Sequence, residues 1–294
     1  HLAYISSAVK FLSDNGKDGK KFWNESDIYH FIGKDIVYHH YLFLPAMRLG
    51  IGGEYKLPDY IPTRGHLTLQ AKKISKSRNW YIGLKDFLQI FPADYLRFYL
   101  VSINPYSQDD LNFDWDEFAT KINSELIGNL GNLINRALGF TVKAFDGIVP
   151  DPEEFDDMDK ESEKAIKDLG SDVGVLMEQN HLDRALKKIL QFSAHFNQYF
   201  QHKEPWKKAH GTGSCVYLSV NAVRSLAIAI YPFLPKSSQK IWVQLGMDGD
   251  ISAQSFDEIS NITIKQGHKL GKISPLFEKV EESVIEEQKK KLGI

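Results

Sequence analysis

Between residues 116 and 144 the apolar side chains Ile122, Leu126, Leu130, Leu133, Ala137, Phe140 and Ala144 recur at steps of three and four. That spacing lines them up on one face of a single long helix. A helix with one apolar face must bury it against neighbours, so the chain is committed to a helix bundle over much of its length. Further helices are predicted at about 160–179, 181–201, 214–230 and 236–245, with shorter ones at Leu84-Lys85-Asp86-Phe87-Leu88 and from Pro92 to Leu100. The acidic, proline-led stretch 151–159 reads as a connection rather than an element. The charged, amphipathic run 275–292 reads either as a helix that packs back on the core or as a partly free tail.

The first eighty residues have another texture. Ile28-Tyr29-His30-Phe31-Ile32 is β-branched and aromatic and stops at Gly33, which predicts a buried strand. Residues 34–48 carry Ile36, Val37, Leu42, Leu44, Ala46 and Met47 and close at Gly50, which predicts a helix, and 60–69 is again extended. Strand, helix, strand is the mark of part of a parallel doubly wound sheet. The fold class expected is therefore α/β plus all-α, with a stretch of sheet too short to be a whole one.

Composition narrows the function classes. A hydrophobic share of 43% and a charged share of 25% are those of an ordinary globular protein. A single cysteine, Cys215, excludes an internal disulfide and a cysteine-rich zinc site, and points to a reducing compartment, the cytoplasm. Residues 1–12 hold no basic leader, and no segment approaches ~20 uninterrupted apolar residues, so neither secretion nor membrane spanning is expected. With a net charge of -2, any contact with a polyanion must be local. Lys72, Lys73, Lys76 and Arg78 form one candidate patch and Lys203, Lys207 and Lys208 another; solvated surface is the plain alternative for both.

The most specific chemical signal is Lys73-Ile74-Ser75-Lys76-Ser77, after an extended segment and before a helical one. It resembles the KMSKS signature loop of class I aminoacyl-tRNA synthetases, with isoleucine as the apolar anchor where methionine is usual. In amino-acid activation a carboxylate attacks the α-phosphate of ATP and negative charge builds on the departing pyrophosphate. Two ammonium groups on a mobile loop can meet that charge as it forms. The resemblance gives Lys76 the main role and Lys73 a supporting one.

Tyr29-His30-Phe31-Ile32-Gly33-Lys34-Asp35-Ile36-Val37-Tyr38-His39-His40 resembles a strand-turn-helix segment of methionyl-tRNA synthetases. The resemblance implies that Gly33, Lys34 and Asp35 meet the adenylate at the carboxyl end of a strand, Asp35 accepting from ribose hydroxyls. A helix-capping carboxylate is the alternative for Asp35. Methionine offers a weak acceptor sulfur and a polarizable surface, so its selection rests on shape and aromatic contact. By resemblance Tyr4, His39 and His40 line that pocket, although position 39 is phenylalanine in many members. The segment from Phe91 to Leu100 resembles the helix joining the signature loop to the anticodon domain, with Asp94 and Arg97, three apart, expected to pair with each other.

In the bundle, Gly131-Asn132-Leu133-Ile134-Asn135-Arg136 resembles the family's anticodon-reading helix and Glu204-Pro205-Trp206 its stacking tryptophan. Asn132 and Arg136, four apart, share a helix face beside the apolar stripe. An amide and a guanidinium can hydrogen-bond splayed base edges and an indole can stack; a polar helix flank and a core tryptophan are the plain alternatives. The resemblance covers essentially the whole chain. It implies residues 1–82 as the second half of a Rossmann-like catalytic domain, 83–118 as connecting helices and 119–294 as a helical anticodon-binding domain. It further implies ligation of methionine to methionine tRNA, anticodon CAU, through methionyl-adenylate, with ATP and Mg2+ as co-substrate and no DNA or membrane partner; the family's cysteine-rich zinc insertion is missing, so no zinc is expected in this stretch. No His-x-Gly-His motif is present, so the chain alone is expected to lack the first half of the active site and to be inactive. The remaining readings are another class I synthetase of the leucine, isoleucine or valine type, and a non-catalytic tRNA-binding module.

Overall fold

The computed structural model describes residues 2–207 and 210–294, so Lys208 of the second basic patch lies outside the described residues. The chain forms two compact units, one made of residues up to Thr68 together with Tyr106–Asn112, the other of Leu69–Pro105 and Phe113–Ile294.

In the first unit, helices α1 (Leu2–Asp14) and α2 (Gly19–Glu25) precede strand β1 (Ile32–Gly33). Gly19 lies against the backbone of Val9, where a Cβ would run into the carbonyl, so glycine sets the closeness of the two helices. β1 pairs in parallel with β2 (Thr63–Arg64), Ile32 opposite Thr63 and Gly33 opposite Arg64. The parallel pairing with a crossover between is the expected α/β signature. Two local expectations fail. Only Ile32 of the apolar run 28–32 is buried among its ring-bearing and branched neighbours; Tyr29 and Phe31 stand 40% and 59% exposed, and Tyr29 stacks on Tyr60 at 4.5 Å. The helix expected over 34–48 divides into a 3-10 turn (Lys34–Ile36), a π-helical segment (His39–Phe43) and α3 (Leu44–Gly50). Pro45 explains the break: it has no N–H to donate and its ring crowds the carbonyl four residues back, so the preceding turn widens.

A hairpin follows β2 in the chain. Strand β3 (Leu67–Leu69) turns through Gln70 and Ala71, both left-handed, into β4 (Lys72–Lys73), and β5 (Leu111–Phe113) pairs on the other side of β3. Helices α4 (Leu84–Ile90) and α5 (Ala93–Ser102) follow. Asp94 and Arg97 do not pair as expected. Asp94, buried at the start of α5, accepts from the amide and hydroxyl of Ser237, while Arg97 donates to the carbonyls of Pro232 and Phe233. Both are drawn to the same turn because it offers unsatisfied helix-end groups of opposite polarity.

The predicted long helix is α6 (Trp115–Lys121), a π-helical segment (Ile122–Gly131) and α7 (Asn132–Phe145), continuous from 115 to 145. Ile122, Leu126, Leu130, Leu133 and Ala137 are all fully buried. Helices α8 (Asp157–Glu178), α9 (Leu182–Lys203), α10 (Thr212–Ile230) and α11 (Pro235–Gln244) complete the bundle. α10 is buried on every side as the centre of the core, polar Asn221 and Arg224 included; it is long and apolar enough to cross a membrane, yet its window is 94% buried in the bundle. The acidic stretch is less a connection than expected: Asp156 caps α8 and forms a reciprocal capping box with Asp159. Of the C-terminal run only α12 (Glu282–Leu292) is helical, docked on α6 through Lys289 and Asp116 at 2.7 Å. Residues 275–281 lie extended because Leu276 and Val280 are buried and Tyr95 bonds both backbone groups of Glu278.

Candidate active-site and anticodon-contact residues

Within the first unit an open cleft of about 910 Å3 is lined largely by apolar side chains, with Tyr4 of α1, His30 before β1 and His40 of the π-helical segment among them. The three rings contact one another. Tyr4 and His40 stack with centroids 5.8 Å apart, and His30 stands edge-on to both at 5.4 and 5.5 Å. Nδ1 of the buried His40 lies 3.0 Å from the Ile36 carbonyl, which can only accept, so Nδ1 is the nitrogen that donates there. Burial, with His40 adding to it, pushes the His30 imidazolium down from its ordinary value. Tyr4 and His40 thus meet as the sequence reading requires. His39 does not join them: its ring packs edge-on against Phe43 and lines no part of this cleft.

At the carboxyl end of β1 the Asp35 carboxylate folds back over Gly33, occupying the space a Cβ would need there. Asp35 caps no helix; its Oδ1 approaches His66 Nε2 at 3.5 Å. Lys34 binds Asp110 at 2.8 Å, and Asp110 also accepts from the backbone N–H of His66. Those donors, Lys34 first, hold the Asp110 carboxyl below the usual carboxylate range. His66 and Asp110 carry no motif, and 44 residues of sequence separate them.

In the second unit the lysine loop closes on Trp80. Ser75 and Trp80 exchange backbone hydrogen bonds at 2.8 and 2.9 Å, the Trp80 indole donates to Leu69 O, and Lys72 lies over its ring at 4.4 Å. Lys76 opens a 3-10 turn that ends at left-handed Asn79. Lys73 and Lys76 are exposed, and neither enters an ion pair among the described residues. Ile74, expected to anchor the loop, is 39% exposed. The arrangement holds two unneutralised ammonium groups on a backbone pinned at its base, which suits them to an incoming polyphosphate.

On the bundle the structure brings together residues seventy positions apart. Asn132 and Arg136 project from α7 toward α9, where Asn132 Nδ2 donates to Asn197 Oδ1 at 2.8 Å and Arg136 to Gln201 Oε1 at 3.0 Å. The guanidinium lies over Phe200 at 5.0 Å and over Trp206 at 5.8 Å. Trp206 sits in the 3-10 turn Pro205–Lys207, 43% exposed, so it is not a core tryptophan. Asn197 and Gln201 were missed from sequence. Their spacing of four on α9 repeats that of Asn132 and Arg136 on α7, and that matching polar period was the available signal.

A parallel strand pair, a free-lysine loop and a helix bundle with an exposed polar-aromatic face define a class I aminoacyl-tRNA synthetase architecture, and residues 1–138 match the family described as tRNA synthetases class I (M). Residues 149–293 match the anticodon binding domain of methionyl tRNA ligase. The chain belongs to the methionyl-tRNA synthetase family. It is 39% identical to the methionine–tRNA ligase of Pyrococcus horikoshii over 97% of its own length and 41% of that relative, and 36% identical to that of Methanosphaera stadtmanae over 98% and 44%. It therefore spans less than half the length of these relatives. Among solved structures it resembles Mycobacterium tuberculosis methionyl-tRNA synthetase bound by methionyl-adenylate, with TM-score 0.83 and 26% identity over 94% of this chain and 54% of that one.

Proposed function

We propose that the chain serves ATP-dependent ligation of methionine to methionine tRNA through methionyl-adenylate, contributing the lysine loop, part of the methionine pocket and the anticodon-reading face. The observation that carries this reading is the meeting of Asn132 and Arg136 with Trp206 on one exposed face. That combination offers a stacking plane beside two edge-reading hydrogen-bonding groups, which is what unpaired bases require. In this reading the three residues read a CAU anticodon. Lys76, assisted by Lys73, meets charge building on pyrophosphate as the methionine carboxylate attacks the α-phosphate and the bond to pyrophosphate breaks. Magnesium enters with ATP as part of that substrate. Gly33, Lys34 and Asp35 face the adenylate, and Tyr4 and His40 hold the thioether by aromatic contact, with His39 supporting the wall of the helix behind them. Residues 1–82, 83–118 and 119–294 act as catalytic, connecting and anticodon-binding parts. A single buried cysteine suits work in the cytoplasm.

The test is a binding titration of CAU-bearing and anticodon-swapped stem-loops at one fixed salt concentration. Wild type should prefer CAU, and Trp206→Ala should weaken that complex about tenfold to a hundredfold, since one stacked base is worth ~1–3 kcal/mol. No preference for CAU, or a Trp206→Ala protein that melts early yet keeps the preference, would overturn the assignment.

A further inference from the structure

Trp206 stands on the short loop between the end of α9 at Lys203 and the start of α10 at Thr212. Its own packing is modest, an exposed ring 6.5 Å from Phe200. The loop also carries a left-handed residue near each end, Glu204 at φ 43 and Gly211 at φ 88. Left to itself such a segment would sample many poses, and a stacking plane that moves loses affinity to ordering entropy. Something else has to fix it.

We infer that the acidic segment 153–159 is a clamp that sets the pose of Trp206 for anticodon stacking, with Glu153, Asp156, Asp159 and Lys203 as its positioning residues. This inference rests on the anticodon reading above. At the entry to the loop the Lys203 side chain is 9% exposed, and its ammonium lies 2.8 Å from both Asp156 Oδ2 and Asp159 Oδ1. Asp159 is itself buried and also accepts from the Tyr199 hydroxyl at 2.5 Å. The Lys203 and Asp159 side chains are largely buried while that of Asp156 is 57% exposed, and a largely buried ion pair with its hydrogen bonds made tolerates few alternative geometries. At the exit one carboxylate, Glu153, accepts from the backbone N–H groups of Gly211, Gly213 and Ser214 at 3.2, 3.3 and 2.7 Å and from the Ser214 hydroxyl. Gly213 has to be glycine, because a Cβ would run into the Asp151 carbonyl. The two anchors meet: the Lys203 ammonium lies 3.3 Å from the Cβ position of Gly211. The clamp is rigid in turn, since Asp156 and Asp159 close the first turn of α8 with their reciprocal capping box. Both ends of the loop are therefore tied to one segment.

The experiment uses the whole chain labelled with 5-fluorotryptophan, the Trp206 resonance being assigned by its loss in Trp206→Ala. Lys203→Met, Lys203→Arg and Glu153→Gln are each made with Trp206 present and with Trp206→Ala. Dissociation constants for a CAU stem-loop are read together with the fluorine spectrum. Lys203→Met and Glu153→Gln should shift or broaden the Trp206 resonance and weaken binding about fivefold to tenfold, with almost no further loss in the Trp206→Ala background, and Lys203→Arg should recover part of the affinity. Equal losses in both backgrounds would make the segment merely structural and overturn the inference, as would an unmoved resonance with unchanged binding. Should Lys203→Met unfold, Glu153→Gln decides alone, because it keeps an acceptor and leaves no buried charge unpaired. If Trp206→Ala leaves CAU binding unchanged, the anticodon reading fails, while the fluorine resonance still tells whether the clamp holds the ring.

Discussion

Replacing Arg136 by lysine keeps the charge and removes the geometry, so it separates reading of a base edge from neutralisation of a phosphate. The guanidinium donates to Gln201 Oε1 at 3.0 Å and lies flat enough over Phe200 and Trp206 for its centre to be 5.0 and 5.8 Å from their rings. A lysine ammonium is a point charge with no planar fork. Cation–π contact at a half-exposed site is worth ~0.5–1 kcal/mol. A lost second donor to a base edge adds ~1 kcal/mol. Arg136→Lys should therefore weaken a CAU stem-loop by ~1.5–2 kcal/mol, roughly tenfold to thirtyfold. The log–log dependence of affinity on salt should keep its slope, since no charge is lost, whereas Arg136→Gln should lower that slope by about one unit only if the group neutralises a phosphate. The assay is a fluorescence titration over four salt concentrations. Lysine binding as well as arginine, together with a reduced slope for glutamine, would refute base-edge reading by Arg136.

Two other outcomes follow from the site. In the complete enzyme that includes this chain, Lys76→Ala should lower the rate of adenylate formation about a hundredfold, ~3 kcal/mol, with methionine affinity little changed, as single-turnover kinetics would read; an unchanged rate with weaker ATP binding would move the lysine to ground-state binding. Burial pushes the Glu153 carboxyl up, but the amides of Ser214 and Gly213 and the Ser214 hydroxyl outweigh it and hold it below the usual range; with the folded value depressed, its stabilising contribution is present above the unfolded value of about 4.5 and is lost as pH falls through the folded one, so urea midpoints of wild type should drop more steeply below about pH 4.5 than those of Glu153→Gln. Parallel curves would remove Glu153 from the clamp.

How much of this was legible depended on whether the deciding interaction was local. Helix positions came through because apolar periodicity states which face is buried, and Ile122 through Ala137 are buried as the pattern requires. The parallel strand pair came through on β-branched and aromatic residue type rather than on burial, and only its end, Ile32–Gly33 against Thr63–Arg64, forms a ladder. Apolar periodicity over 34–48 took no account of Pro45, and a proline that continues an existing helix widens the turn before it. Exposure of Tyr29 and Phe31 could not be read, since a β-branched aromatic run looks alike whether or not something covers it. Asp94 and Arg97 went wrong for a plainer cause: spacing three apart makes a pair possible, but the Ser237 amide and hydroxyl offer Asp94 two short hydrogen bonds that a solvated ion pair does not match. Among the candidate site residues, motif resemblance singled out Tyr4, His40, Asn132, Arg136 and Trp206, and the structure brings Tyr4 to His40 and Arg136 to Trp206. His66, Asp110, Asn197 and Gln201 were not, because each owes its place to a partner many residues away.

The long helix shows why Asn132 and Arg136 on α7 end up facing α9. Phe118, Ile122, Leu126 and Leu130 step by four, and each is fully buried. In a regular α-helix each step of four drifts roughly 40° around the axis, so three steps would carry the stripe through roughly 120° and bring its end toward solvent. The segment Ile122–Gly131 is π-helical instead, and its wider turn cancels that drift, keeping the stripe inward up to Leu133 and Ala137. Widening a helix rotates everything after it, which places Asn132 and Arg136 beside Asn197 and Gln201. Asn197 then ties the arrangement together, donating to both the backbone carbonyl and the side chain of Asn129 inside the π segment, while its own oxygen receives Asn132. The sequence that buries the core through one backbone irregularity thus also directs Asn132 and Arg136 toward α9, the face that the proposed function turns to the anticodon.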